Sequence, residues 1–129
     1  MGKILVTGAA GFIGRQLSDN LISNDFEIIE LDDLSTKPLL KPKESLLIMK
    51  VQDVNSDFLI EHNIESIIHL AAKKNVKDSF FNMDYSTENF DMTHKLLNAS
   101  AQSEVKRFFL ASSCEIFGYQ DNILKERST

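Results

Sequence analysis

Lys3-Ile4-Leu5-Val6-Thr7 runs directly into Gly8-Ala9-Ala10-Gly11-Phe12-Ile13-Gly14, an apolar segment followed by three glycines at three-residue spacing. This junction restricts the fold more than any other feature of the chain. Gly8 permits a tight turn without a Cβ, Gly11 lets backbone N–H groups approach a ligand, and Gly14 lets a helix lie close to the strand before it. The unpaired N–H groups and positive dipole end of that helix then face the turn, a setting suited to a pyrophosphate. Spaced glycines alone are weak evidence. The apolar strand ahead of them, with Phe12, Ile13, Leu17, Leu21 and Ile22 at helical spacing behind, supplies the context of a strand-turn-helix unit.

A second strand is expected over Phe26-Glu27-Ile28-Ile29-Glu30-Leu31, ending in Asp32, 18 residues after Gly14. A carboxylate at the C-terminal edge of the second strand accepts hydrogen bonds from the adenosine ribose hydroxyls of a dinucleotide and repels a 2′-phosphate. Asp33 stands beside it with no Arg nearby, so the pair favours NAD over NADP.

Size and charge narrow the function classes. The 129 residues suffice for one domain with a core, but are few for an enzyme carrying both a cofactor site and a substrate domain. Fourteen basic and nineteen acidic residues leave a net charge of −5 with no basic stripe, which argues against nucleic-acid or anionic-membrane partners. The single Cys114 excludes an intrachain disulfide and a cysteine zinc cluster and suits a reducing compartment. His62, His69 and His94 lack metal-ligand spacing, so no metal is expected. No apolar run approaches the ~18 residues of a membrane span and no leader is read at the N-terminus, so a cytoplasmic location is expected.

Strand and helix signals alternate along the rest. After a polar loop with Pro38 and Pro42, in which Lys41 and Lys43 read as solvated charge, come an apolar run Leu46-Leu47-Ile48-Met49 and a short helix near Ser56 to His62. A strand is expected over Ser66-Ile67-Ile68-His69-Leu70, a long helix with Phe90, Thr93, Leu97 and Ala101 on one face, and a last strand Arg107-Phe108-Phe109-Leu110-Ala111. The expected fold is α/β, a Rossmann-type doubly wound parallel sheet of about five strands spanning residues 1–129. Right-handed crossovers give the order 3-2-1-4-5 and put a ligand crevice between the C-terminal ends of strands 1 and 4.

With the glycine turn, Asp32, His69-Leu70-Ala71-Ala72 and Ala111-Ser112-Ser113 in place, the chain resembles the extended short-chain dehydrogenase/reductase family, and within it the NAD-dependent nucleotide-sugar epimerases and dehydratases. The resemblance implies that Gly8, Gly11, Phe12, Ile13 and Gly14 hold the NAD pyrophosphate and Asp32 the ribose. It implies that Asp53-Val54 meets the adenine, that Leu70, Ala71 and Ala72 line the crevice with Lys74 just beyond, and that Asn89 closes over the site. Ala111 and Ser112 would lie by the nicotinamide, and Ser113 would bond the reacting sugar oxygen. Glu115 stands where the 4,6-dehydratases carry a proton-abstracting glutamate, although Cys114 and Phe117 replace the usual Asp and Tyr around it. Without the resemblance, Asp53 reads as a turn cap, Asn89 and Lys74 as solvated side chains, the alanines as sheet packing and Glu115 as a surface acid.

The family's Tyr-x-x-x-Lys pair is not in this chain: four residues beyond Tyr85 and Tyr119 stand Asn89 and Ile123. The expectation is therefore the NAD-binding part of an enzyme that acts on a nucleotide sugar, without turnover by these 129 residues alone. The alternative is a non-catalytic NAD-binding or partner-supporting module. A bare edge on the fifth strand would invite cover by another segment or a homo-oligomer.

Overall fold

Five residues, Lys3–Thr7, form β1, the central strand of a parallel sheet in a computed structural model that describes residues 2–73 and 84–119. β2 (Ile28–Asp32) and β4 (Ile64–His69) flank it, with β3 (Leu47–Ile48) and β5 (Arg107–Leu110) outermost, giving the expected order 3-2-1-4-5. The register sets Leu5 between Ile29 and Ile67, and Thr7 between Leu31 and His69. β2 begins two residues later than expected, because Asp25 turns the chain with φ 62° and the Phe26 N–H bonds back to Leu21 O.

Three helices complete the layers: α1 (Phe12–Ser23), α2 (Ser56–Glu61) and α3 (Asp84–Ala101). Asn55 starts α2 by accepting the Phe58 N–H on its side-chain oxygen at 2.8 Å, a regular N-cap. α2, α3 and the short 3-10 turn Val51–Asp53 pack together, and their Leu59, Leu96 and Val51 bury Leu5, Leu31 and Ile67 of the sheet. Val6 is equally buried but outside that cluster. Side chains alternate across a strand, so it faces the opposite layer, where α1 lies over β1 and β2.

Two helix faces differ from the expected ones. α3 buries Met92, Leu96, Ala99 and Ser100, while Phe90 and Leu97 are 71% and 43% exposed. At 3.6 residues per turn the buried stripe lies about a third of a turn from the Phe90-Thr93-Leu97-Ala101 stripe. Both stripes carry apolar residues, and the sheet selected the one with the smaller side chains; Phe90 instead stacks on His94 at 5.6 Å. On α1 the residues fully covered are Gly14 and Ser18, whereas Phe12 and Ile13 are exposed. A narrow small-residue face lets this helix sit close to the sheet.

The loop before β3 also departs from expectation. Lys43 is not a solvated charge: its ammonium meets Glu30 at 2.7 Å and Asp19 at 2.6 Å, and Glu30 is 5% exposed. A carboxylate on an inner strand demands a cation, and only folding shows which lysine supplies it. β5 is the last strand among the described residues, and its Phe109 and Leu110 are 55% and 54% exposed.

Candidate cofactor site

Gly8 leaves β1 with φ 71°, a conformation that side chains disfavour, and a Cβ there would lie 2.8 Å from Ala71 N and 2.9 Å from Ala71 Cα. The chain leaving β4 therefore packs on the turn leaving β1. Two bonds fix that contact: Leu70 N–H donates to Thr7 O at 3.2 Å, and Ala71 N–H to Thr7 Oγ1 at 3.4 Å. Gly11 N–H donates to Gly8 O at 3.1 Å and Gly11 caps α1. Beyond it the Phe12, Ile13 and Gly14 N–H groups precede the first intrahelical donor, Arg15, whose N–H bonds to Gly11 O at 3.0 Å, and no acidic side chain stands in the first turn. The helix start is left electropositive.

Asp32 faces the same turn. One carboxylate oxygen accepts the Ala10 N–H at 3.0 Å and the other the Leu34 N–H at 2.9 Å, so the acid ties the end of β2 to the glycine turn. Asp33 accepts the Ser35 N–H at 2.9 Å. Burial alone would raise its pKa, but the Ser35 hydrogen bonds and the charges of Lys73 and Lys50 outweigh burial and hold the carboxyl below its usual range.

A cavity of about 310 Å³ opens between these elements, against about 70 and 10 Å³ for two others among the described residues. Its size is within the range of small-molecule sites. Gly8, Gly11, Phe12 and Asp32 line one side, and Leu70, Ala71 and Ala72 the other. Sequence reasoning missed Val51 and Met92, which form apolar lining, and Lys73 with the loop from Ser35 to Leu39. The only signal for the loop was its position directly after the acidic pair.

Other expected site residues, among those described, stand outside the lining. Gly14 is buried beneath the turn, and Ile13 is exposed on α1. Asp53 is exposed at the end of the Val51–Asp53 turn, and the Val54 side chain, 3% exposed, belongs to the core. Asn89 spends its amide on the Lys73 backbone, accepting the N–H at 2.8 Å and donating to the carbonyl at 3.1 Å. Ala111 extends the ladder through its N–H to His69 O at 3.1 Å, and Ser112 and Ser113 follow it, exposed. Glu115 belongs to the 3-10 turn Cys114–Phe117; its side chain and all of Lys74 lie outside the described residues.

Below the crevice His69 is 1% exposed, with Nδ1 2.7 Å from Thr7 Oγ1 and Nε2 3.1 Å from Thr93 Oγ1. Burial lowers its pKa to about 4 from an ordinary 6.5, so the ring is neutral and holds β1, β4 and α3 together through two hydroxyls. The unfolded chain binds the proton first as pH falls. The stability contributed by the neutral ring is thus complete above about pH 6.5 and lost by about pH 4, to the extent of roughly 3 kcal/mol. Urea denaturation at pH 7.5 and 4.5 should show a larger fall for the natural chain than for His69→Gln; equal falls would contradict this.

Among the described residues no cluster of three His, Cys, Asp or Glu side chains could hold a metal, and no helix is long and apolar enough to cross a membrane. The sequence model of the NAD dependent epimerase/dehydratase family matches residues 4–129. The trifunctional UDP-glucose 4,6-dehydratase/UDP-4-keto-6-deoxy-D-glucose 3,5-epimerase/UDP-4-keto-L-rhamnose-reductase RHM2 of Arabidopsis thaliana is 37% identical over 133 residues, covering 92% of this chain and 20% of that protein. A UDP-glucose 4-epimerase sequence of Klebsiella pneumoniae is 32% identical over 133 residues, covering 94% of this chain and 96% of the relative. The structure of MoeE5 in complex with UDP-glucuronic acid and NAD superposes with a TM-score of 0.82 at 33% identity, over 98% of this chain and 42% of that one. The chain thus spans about a fifth of the plant protein and two fifths of MoeE5.

Proposed function

The chain belongs to the NAD dependent epimerase/dehydratase family, and from that premise we propose that its crevice binds NAD as the cofactor half of a nucleotide-sugar epimerase or dehydratase site. The observation that carries the reading is the 3.0 Å bond from Ala10 N–H to Asp32. It brings a carboxylate and a turn of backbone N–H groups to one cavity, which supports a ribose contact for the first and a pyrophosphate contact for the second.

The residues present fit the dinucleotide. The N–H groups of Phe12, Ile13 and Gly14, which have no partner among the described residues, would take the pyrophosphate, and Asp32 retains lone pairs for ribose hydroxyls while accepting two backbone bonds. Val51 and Met92 offer apolar surface to a flat ring, and the small Ala71 and Ala72 leave room for close passage. Asp32 and Asp33 together disfavour a 2′-phosphate, so NAD is preferred over NADP. When bound, NAD would supply a hydride acceptor and donor for a sugar carbon. Ser113 at the end of β5 would hydrogen-bond the reacting sugar oxygen, and Glu115 would serve as base where a neighbouring C–H is made acidic by a ketone.

The 129-residue chain has no Tyr-x-x-x-Lys pair. It is therefore expected to bind NAD without converting nucleotide sugars by itself, and measurable turnover by the pure chain would refute that half of the reading. Isothermal titration tests the other half. The natural chain should bind NAD more tightly than NADP, and Asp32→Ala should weaken NAD by about ten- to a hundredfold, the scale of a lost charge-assisted hydrogen bond. Unchanged NAD affinity in Asp32→Ala would remove the ribose assignment.

A further inference from the structure

Lys73 lies beyond β4 in a position that sequence reasoning assigned no role. Its backbone is held at both polar atoms by the Asn89 amide of α3. Its ammonium reaches across the crevice to Ser35 Oγ at 2.7 Å, in the loop after β2, with Asp33 at 3.8 Å and Glu88 at 3.9 Å. α3, the segment after β4 and the loop after β2 are thus joined by one side chain on each of two residues, beside the cavity that Lys73 and Ser35 both line.

The loop so held carries the backbone donors to the acidic pair. Leu34, with a left-handed φ of 54°, gives its N–H to Asp32, and Ser35 gives its N–H to Asp33. A non-glycine residue in that conformation costs free energy unless its surroundings hold it. The Lys73 bond ties Ser35, the next residue of that loop, to the segment after β4.

We propose that Lys73 is a positioning residue for the adenosine-ribose carboxylate, acting through Ser35 to hold the loop after β2 in its cofactor-binding form. The proposal rests on the NAD reading above. Lys73 does not touch the ribose in this role; its bond to Ser35 keeps Leu34 N–H on Asp32, and Asn89 sets where the lysine starts. Ligands containing the adenosine ribose should feel its loss, whether or not they carry a nicotinamide.

Isothermal titration of the 129-residue chain and its K73M, K73R, S35A and K73M/S35A forms with NAD and ADP-ribose tests this. K73M should weaken both ligands by the same factor, about tenfold, and K73R should restore binding to within about threefold. The double variant should bind no more weakly than the weaker single variant, because both changes remove one link. Unchanged affinity in K73M would overturn the proposal, as would tighter binding, which would make Lys73 an obstruction. Additive losses in the double variant would also overturn it, by showing that Lys73 meets the cofactor directly. A natural chain that takes up no NAD would instead defeat the cofactor reading itself.

Discussion

Gly14→Ala is expected to lower the stability of the chain by about 2 to 3 kcal/mol and to weaken NAD binding at least a hundredfold. Helix propensity alone predicts the opposite sign, since alanine in a helix interior is favoured over glycine by about 1 kcal/mol. The contact decides. A Cβ on Gly14 would overlap the Gly8 carbonyl oxygen and lie 2.8 Å from Gly8 C and 2.9 Å from Ala9 Cα. All three are backbone atoms of the turn, so no side chain can swing aside. Relief comes only from moving α1 off β1, and overpacking of this kind typically costs 1 to 3 kcal/mol or more. The same movement withdraws the helix N–H groups from the place where the pyrophosphate would sit, so affinity falls further than stability. Urea denaturation and titration with NAD check the two halves separately. A Gly14→Ala chain as stable as the natural one would mean that α1 does not lie as close to the turn as described.

Lys43→Met should destabilise the chain by about 3 kcal/mol, the cost of leaving a buried carboxylate without its partner. Glu30 is 5% exposed on a strand beside the centre of the sheet, and its acceptors are served by Lys43 at 2.7 Å and Ser45 Oγ at 3.2 Å. Burial by itself would lower the Lys43 pKa, but its hydrogen bonds to Asp19 and Glu30 prevail and raise it, so the ammonium is charged throughout the neutral range. Methionine keeps most of the stem and removes only the charge and its donors. Combining Lys43→Met with Glu30→Gln should recover most of the loss, because the buried group left behind is then neutral and smaller in its desolvation cost. Denaturation midpoints of the two single variants and the double variant measure this directly. A loss below about 1 kcal/mol in Lys43→Met would show that water reaches Glu30 and that the pair is worth no more than a surface one.

These two sites differ in how far they could be read beforehand. Gly14 and its neighbours were legible because a strand-turn-helix junction is a local event, and the steric demands on residues 8 to 14 arise within those residues. The position of Asp32 was legible for a related reason: it ends the second strand, which the apolar run before it marks, and there its carboxylate meets the glycine turn. Lys43 and Lys73 were not. Each looks like any other lysine in a polar segment, and each has its role only because Glu30 in one case and Ser35 in the other arrive from a different part of the chain. Asn89 was singled out, but its partner, the Lys73 backbone, was not foreseeable from spacing. The covered face of α3 was misjudged for a similar reason. Two stripes of that helix carry apolar side chains, and periodicity states that a stripe exists without saying which one meets the sheet.

By itself the sequence determined the alternation of strands and helices, the sheet order that right-handed crossovers impose, and the glycine turn with its acid, all of which follow from short-range sterics and patterning. Only the tertiary structure decided which charges are shared across the crevice, which helix face is covered, and that Val51, Met92 and Lys73 belong to the same cavity as Gly8. Those outcomes depend on distances between residues tens of positions apart, and such distances are set by packing the layers together. The turn from Gly8 to Gly14 has both kinds of cause: its own residues make it possible, and Ala71 pressed against Gly8 from the end of β4 makes it one wall of a site.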